Sequence, residues 1–135
     1  MERNFIEITI RRVKKPVREE INSELQWISQ SLGLFSKRDK EKSCFRIFIE
    51  LVKAKKEGIM LSSDEIAEKS HLTRGTVIHH IAHLVEKDMI KVHRNRYGLS
   101  FSSFDVLVNN IEKNFSKMLK DLEKEAKKID RELGF

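Results

Sequence analysis

Three histidines lie close together near the middle of the chain, in the order His-His-x-x-His: His79, His80 and His83. His79 and His83 are four residues apart, so a helix presents both on one face, a spacing that suits two ligands of a zinc ion. The zinc-protease pattern requires a glutamate directly after the first histidine, and this chain has His80 there. The spacing supplies no third ligand, so we expect neither a bound metal nor a cofactor.

The remaining residues offer no catalytic arrangement. The chain has five glycines but no glycine-rich phosphate loop, and no nucleophile stands near a base at a catalytic spacing. Its one cysteine, Cys44, cannot form an internal disulfide, which fits a reducing compartment, and is expected to be a small buried residue. We therefore expect a cytoplasmic protein that is not an enzyme and has no catalytic residues.

The stretch from Leu61 to Leu99 predicts two helices followed by a hairpin. Ser62 and Glu65 have the spacing of a capping box at the start of a short helix. Thr73 is suited to cap a second helix, which is expected to run to Lys87. Two helices joined by a tight turn, with a β-wing after them, form a shape that places the second helix in the major groove of DNA.

The second helix has two different faces. Val77, Ile81 and Leu84 recur at helical spacing and should face the core. The opposite face has small residues that allow a close approach to bases, hydroxyl and imidazole groups that hydrogen-bond base edges, and one isoleucine suited to a thymine methyl. The histidines should add positive charge near pH 6 and make DNA binding tighter there than at pH 8. The residues expected to read bases are Thr73, Gly75, Thr76, Ile78, His79 and His83.

The hairpin is predicted over Met89 to Leu99. Ile90 and Val92 alternate with polar residues, and Arg94 and Asn95 form the turn. Cations at the tip of such a wing are suited to phosphates or to the minor groove. The residues expected to contact the DNA backbone here, together with the first residue of the second helix, are Arg74, Lys91, His93, Arg94 and Arg96.

The run from Ser62 to Ile90 resembles the winged helix-turn-helix of ArsR-like and MarR-like prokaryotic transcription regulators, and the layout of the chain is similar to archaeal regulators of the ArsR-like type. The matching positions are Ser62, Glu65, Ile66, Ala67, Leu72, Thr73, Thr76, Val77, His80, Ile81, Leu84, Glu86 and Ile90. The resemblance implies a dimeric, DNA-binding transcriptional regulator whose recognition helix starts near Thr73. By this analogy His80 contacts the DNA backbone or packs at the edge of the helix, and Ser62 is a further expected backbone contact. Metal-sensing ArsR repressors carry paired cysteines, and this chain has only Cys44, so thiolate metal sensing is not expected.

Residues before this stretch are expected to complete the domain. Alternating isoleucines predict a strand from Phe5 to Val13 that needs a partner in the wing or in another subunit. Helices are predicted over Pro16–Leu32 and over Lys40–Lys56, the second being apolar enough to form the centre of the core. A basic cluster over Arg11–Arg18 is either a solvated connector or an arm that contacts phosphates.

A long helix is predicted from Phe104 to the C-terminus. It would be about 45 Å long, more than a small winged domain can cover. Its apolar seam should meet the same helix of a second subunit; packing on this chain's own N-terminal helix, giving a monomer, is the alternative. The expected dimerisation residues are Phe104, Val108, Ile111, Phe115, Met118, Leu122 and Ile129.

The sequence therefore predicts a mainly α fold with a small β-wing. The expected parts are an N-terminal strand and helix over residues 1–35, a winged helix-turn-helix domain over 36–100 and a dimerisation helix over 101–135. The net charge of +6 favours an anionic partner without naming one, and residues 61–99 carry only +1 of it (six basic and five acidic side chains). The helix-turn-helix pattern predicts that this partner is double-stranded DNA. No apolar run is long enough for a membrane span. A winged-helix adapter that binds other proteins is the alternative function, and no small-molecule effector can be named.

Overall fold

The computed structural model describes residues 10–17, 20–35 and 42–135. The elements in chain order are α1 (Ile21–Ser31), α2 (Ser43–Glu57), β1 (Leu61–Ser62), α3 (Ser63–Ser70), α4 (Arg74–Glu86), β2 (Ile90–His93), β3 (Arg96–Leu99) and α5 (Phe104–Leu133). The predicted mainly α fold with a small β-wing is confirmed. The chain forms two compact units, one ending at Ser100 and one from Phe101 to Phe135. None of the described helices is both long and apolar enough to cross a membrane.

Helix α2 lies at the centre of the first unit. Its side chains Ile47, Phe48 and Leu51 are fully buried, and α3, α4 and β3 all contact this helix. Removing a side chain of this size from water stabilises the fold by about 1.5–3 kcal/mol. Cys44 is also buried in α2, as expected. The prediction that this helix forms the centre of the core is therefore confirmed.

The sheet has three antiparallel strands in the order β1-β3-β2. In the hairpin, His93 lies opposite Arg96 and Ile90 opposite Leu99. The first strand, which the sequence did not indicate, has only two residues and places Leu61 opposite Tyr97. Two residues are too few for a visible alternation, so only the tertiary pairing reveals this strand. It fixes the start of α3 directly to the wing.

Helix α1 begins later than predicted. It starts at Ile21, with Glu20 in an extended conformation as the residue before it, and not at Pro16. The described residues before it have no regular structure. The Trp27 indole donates a hydrogen bond to the Val13 carbonyl (2.9 Å), and the Arg11 N–H donates to the Ser31 carbonyl at the helix end. These contacts hold Arg11 and Val13 beside α1.

Two further predictions fall partly on residues that the structure does not describe. Residues 5–9 of the predicted strand Phe5–Val13 lie outside the described ranges, and residues 10–13 are not a strand. The predicted start of the second helix also lies outside them; the helix is described from Ser43, after Lys42 in a left-handed conformation.

The segment after α1 is anchored on α2. Leu34 is buried, and the Phe35 ring lies edge-on to the rings of Phe45 (5.5 Å between centroids) and Phe48 (6.3 Å). Such edge-to-face pairs add to the stabilisation that comes from burial alone. The C-terminal end of α1 is therefore fixed to the core of the first unit.

Helix α5 forms the second unit and is a single 30-residue helix, as predicted. The Ser103 hydroxyl accepts the N–H of Val106 (3.2 Å) at its start, and Gly134 ends it in a left-handed conformation (φ 75°) that favours glycine. Every residue from Ser116 to Phe135 is exposed. This stretch includes Leu122, of which 63% is accessible.

Candidate nucleic-acid interface

Helix α3 is capped at both ends. The Ser62 hydroxyl accepts the Glu65 N–H (3.2 Å) and the Glu65 carboxylate accepts the Ser62 N–H (3.3 Å), which confirms the predicted capping box. At the other end, the guanidinium of Arg46 in α2 donates to the carbonyls of Ser70 and, at 3.5 Å, of His71. A cation there compensates the negative end of the helix. The two caps fix the turn that leads into α4.

Helix α4 starts at the predicted cap. The Thr73 hydroxyl accepts the N–H of Thr76 (3.2 Å), and the two threonine hydroxyls are 2.8 Å apart. Val77, Ile81 and Leu84 are buried, as expected. Because these three residues define the inward side of the helix, the side 180° away faces solvent.

The solvent face of α4 has two small residues, Gly75 and Ala82, and the exposed carboxylate of Glu86 at its C-terminal end. Gly75, His79 and Ala82 are exposed, Ile78 is 47% accessible and His83 is half-buried. A Cβ added at Gly75 meets no atom within 4 Å, so the fold does not require glycine at this position. Glycine near the start of a helix costs conformational entropy. The missing side chain therefore matters chiefly to a partner that approaches this face.

The histidines of α4 differ in environment. Burial is the main cause that lowers the pKa of His83 below its ordinary value of 6.5, followed by the nearby positive charge of Lys87. His83 is therefore less protonated near pH 6 than an ordinary histidine and adds less charge there than expected. The rings of His79 and His80 lie edge-on, with 5.3 Å between their centroids. Among the described residues, no group of three or more histidine, cysteine or carboxylate side chains could hold a metal ion.

The wing turn is a tight two-residue turn. Arg94 (φ 50°) and Asn95 (φ 61°) both have the left-handed conformation of a type I′ hairpin. Asparagine tolerates this conformation, whereas arginine is uncommon in it. The predicted contact residue Arg94 is exposed at the tip. Lys91 and His93 are also exposed and, by the strand register, share one face of the hairpin with Arg96.

Two of the predicted backbone contacts already have carboxylate partners. Arg96 lies 2.8 Å from the Glu65 carboxylate and also donates to the Met60 carbonyl (3.0 Å). Arg74 lies 3.5 Å from the Asp64 carboxylate, with both side chains largely exposed. Arg96 therefore ties the wing to the start of α3.

The Glu65 carboxylate is the point at which these contacts meet. Its hydrogen bonds from the backbone and hydroxyl of Ser62 are the largest causes that lower its pKa from 4.5, and the positive charge of Arg96 adds to them. The interactions favour the ionised carboxylate.

Sequence reasoning missed the two long-range contacts that orient these helices. Arg46 donates to a carbonyl 24 residues away, and the ammonium group of Lys87 donates to the Gly33 carbonyl, 54 residues away. Neither contact has a local signal, because a basic residue in a helix has no fixed spacing to a partner in another element. Together they join α2 to α3, and the end of α4 to the end of α1.

A comparison with protein families gives one match within this region. Residues 56–91 match a family model described as "Winged helix-turn-helix DNA-binding". No curated protein and no solved structure matches the chain. The match runs from the end of α2 through α4 to the start of β2 and covers 36 of the 135 residues. This part of the chain is therefore similar to winged helix-turn-helix segments that bind DNA.

Proposed function

We propose that the protein is a dimeric, sequence-specific transcriptional regulator that binds double-stranded DNA and has no enzymatic activity. The single observation that carries this proposal is the solvent face of α4. This face has Gly75 and Ala82 at positions where an ordinary surface helix carries long charged side chains. Such a face allows the helix backbone to approach the floor of the major groove. The match to a DNA-binding family model supports the same partner.

The base-reading residues are those that surround this small-residue centre. His79 and Thr76 offer hydrogen-bonding groups to base edges, and Ile78 offers an apolar contact to a thymine methyl. Thr73 and Gly75 lie in the first turn of the helix, and half-buried His83 lies two turns further on. We place the neutral imidazole of His83 among the hydrogen-bonding groups and not among the charges.

The backbone contacts come from the helix start and from the wing. Arg94 at the tip and Lys91 on the outer face are exposed cations suited to phosphates or to a narrow minor groove. Arg74 and Arg96 contribute while remaining near their carboxylates, and His93 lies opposite Arg96 in the hairpin. Ser62 and His80 complete the set at the ends of this surface. The resemblance of Ser62–Ile90 to ArsR-like and MarR-like regulators supports this assignment.

Dimerisation is assigned to α5. Its exposed side includes Met118, Leu122 and Ile129, which follow one another at helical spacing. Most of the stability of a helix in a protein comes from packing its amphipathic face, so covering the apolar side of α5 stabilises it. A second copy of α5 supplies a matching surface, and two reading helices suit a palindromic site. Of the predicted set, Val108 is also exposed, Phe104 and Phe115 are half-buried, and Ile111 is buried and contributes less.

Selection of binding sites from random duplexes tests this proposal. We expect the full chain to enrich a palindromic site and to protect two half-sites about one helical turn apart. His79→Ala should change the base preference, whereas Lys124→Ala on α5, which is also exposed, should leave it unchanged. Absence of binding at about 50 mM salt, where the phosphate contribution is large, would contradict the proposal. Recovery of protein partners that survive nuclease treatment would then favour an adapter.

A further inference from the structure

A basic segment precedes α1 and has no role in the site described so far. Residues 10–17 read Ile-Arg-Arg-Val-Lys-Lys-Pro-Val, with four cations and no acidic residue. Arg11, Arg12, Lys14 and Lys15 are all exposed. Within the described residues, no ion pair involves any of these four cations. The segment is therefore a concentrated positive surface, with no carboxylate partner among the residues that the structure describes.

Two hydrogen bonds hold this segment in place. The Arg11 N–H donates to the Ser31 carbonyl (2.8 Å), and the Trp27 indole donates to the Val13 carbonyl (2.9 Å). Both partners belong to α1, and the Val13 side chain is half-buried. Because the bonds involve backbone atoms of the segment, its cationic side chains remain available to a ligand.

The same end of α1 is joined to the recognition helix. Lys87, the residue that ends α4, donates to the carbonyl of Gly33, two residues beyond Ser31. The contacts therefore run from Arg11 through the end of α1 to the end of α4. An anion bound along α4 would have these cations near one end of the helix.

Half of the basic side chains in the recognition segment, residues 61–99, already contact a carboxylate or a carbonyl. Residues 61–99 carry six basic side chains. Arg74 and Arg96 lie near carboxylates, and Lys87 is bonded to a carbonyl. Phosphate contacts supply most non-specific affinity for DNA, so a tight complex needs cations from elsewhere in the unit.

We propose that residues Arg11–Lys15 form a second DNA-binding element, which contacts the phosphate backbone beyond the C-terminal end of α4. The proposal rests on the DNA-binding function proposed above. The partner is a duplex because the cations belong to the same compact unit as the recognition helix. The element contributes affinity and not base preference, since phosphates are alike at every site.

The test compares two triple substitutions with the same change in charge. One variant carries Arg12→Gln, Lys14→Gln and Lys15→Gln in the basic segment. The control carries Lys113→Gln, Lys120→Gln and Lys127→Gln, which are exposed and lie on the side of α5 opposite its apolar seam. Binding to the selected duplex is measured against salt concentration, and thermal unfolding checks that both variants fold.

The basic-segment variant should bind about a hundredfold or more weakly near 0.1 M salt, and its slope of log affinity against log salt should fall by about 2 to 3, since each phosphate contact contributes about 0.9. The control should change the slope by less than about 1, and neither variant should alter the base preference. Hydroxyl-radical protection should shrink outside the half-sites only in the first variant. Equal slopes for the two variants, with the parent chain still binding, would overturn this proposal alone. Failure of the parent chain to bind any duplex would overturn the proposed function as well.

Discussion

Replacing Gly75 by alanine separates the stability of the fold from the recognition of DNA. Gly75 lies in the first turn of α4 and, unlike Gly58, has no positive φ. An added Cβ meets no atom within 4 Å. Alanine therefore fits without strain and reduces the entropy that the chain loses on folding, so the free energy of unfolding should rise by about 0.4–1 kcal/mol.

The same methyl group should weaken DNA binding. If the start of α4 lies against the base pairs, one extra methyl at the contact should cost about 1–3 kcal/mol, or about tenfold or more in affinity. Urea unfolding gives the first quantity and fluorescence anisotropy with the selected duplex gives the second. A gain in stability together with a loss of affinity would identify Gly75 as a residue that DNA binding requires and folding does not.

Gly58 provides the matched control. A Cβ there also meets no atom within 4 Å, but its φ is 74°, in the left-handed region. Gly58→Ala should therefore lower the free energy of unfolding by about 1–2 kcal/mol and leave the affinity of the folded protein unchanged. Undiminished DNA affinity of Gly75→Ala would refute the close approach of α4 to the bases.

Four further predictions concern the wing, two titrating groups and α5. Arg94→Gly should keep or raise the free energy of unfolding, because glycine accepts φ 50°. Its affinity for DNA should fall about eightfold near 0.1 M salt, as expected for the loss of one phosphate contact. An unchanged salt dependence of binding would exclude Arg94 as that contact. The lowered pKa of Glu65 means that its stabilising contribution is present above pH 4.5 and is lost as the pH falls through its lower folded value, so Glu65→Gln should flatten the acid side of the stability profile measured by urea unfolding. The lowered pKa of His83 has the same sign, with stability lost as the pH falls below 6.5; His83→Gln should reduce that loss in thermal unfolding and leave the change in affinity between pH 6 and 8 unaltered. Leu122→Glu should convert a dimer into a monomer in analytical ultracentrifugation, whereas Lys120→Glu on the opposite side of α5 should not. A monomeric parent chain would contradict the proposal that α5 forms the dimer interface.

Local patterns in the sequence were sufficient to predict much of the winged helix-turn-helix. The capping box of Ser62 and Glu65, the cap at Thr73 and the buried side of α4 all depend on residues at most one or two helical turns apart. Hydrogen bonds and burial at those distances are set by helical geometry, so a spacing of three or four residues predicts them. The hairpin turn at Arg94 and Asn95 follows in the same way from two short alternating runs.

The tertiary structure decided which charges are available and where helices begin. Arg96 pairs with the Glu65 carboxylate and lies opposite Ser62 of β1, a strand too short to predict. Helix α1 starts at Ile21 and not at Pro16, and its Trp27 indole holds Val13 by a hydrogen bond. These contacts join residues far apart in the chain, and their free energy comes from pairings that no local periodicity encodes. The sequence by itself therefore determined the winged helix-turn-helix and which side of α4 is buried. Long-range packing decided which of the described cations contact a carboxylate or a carbonyl, and therefore which surface can bind phosphates.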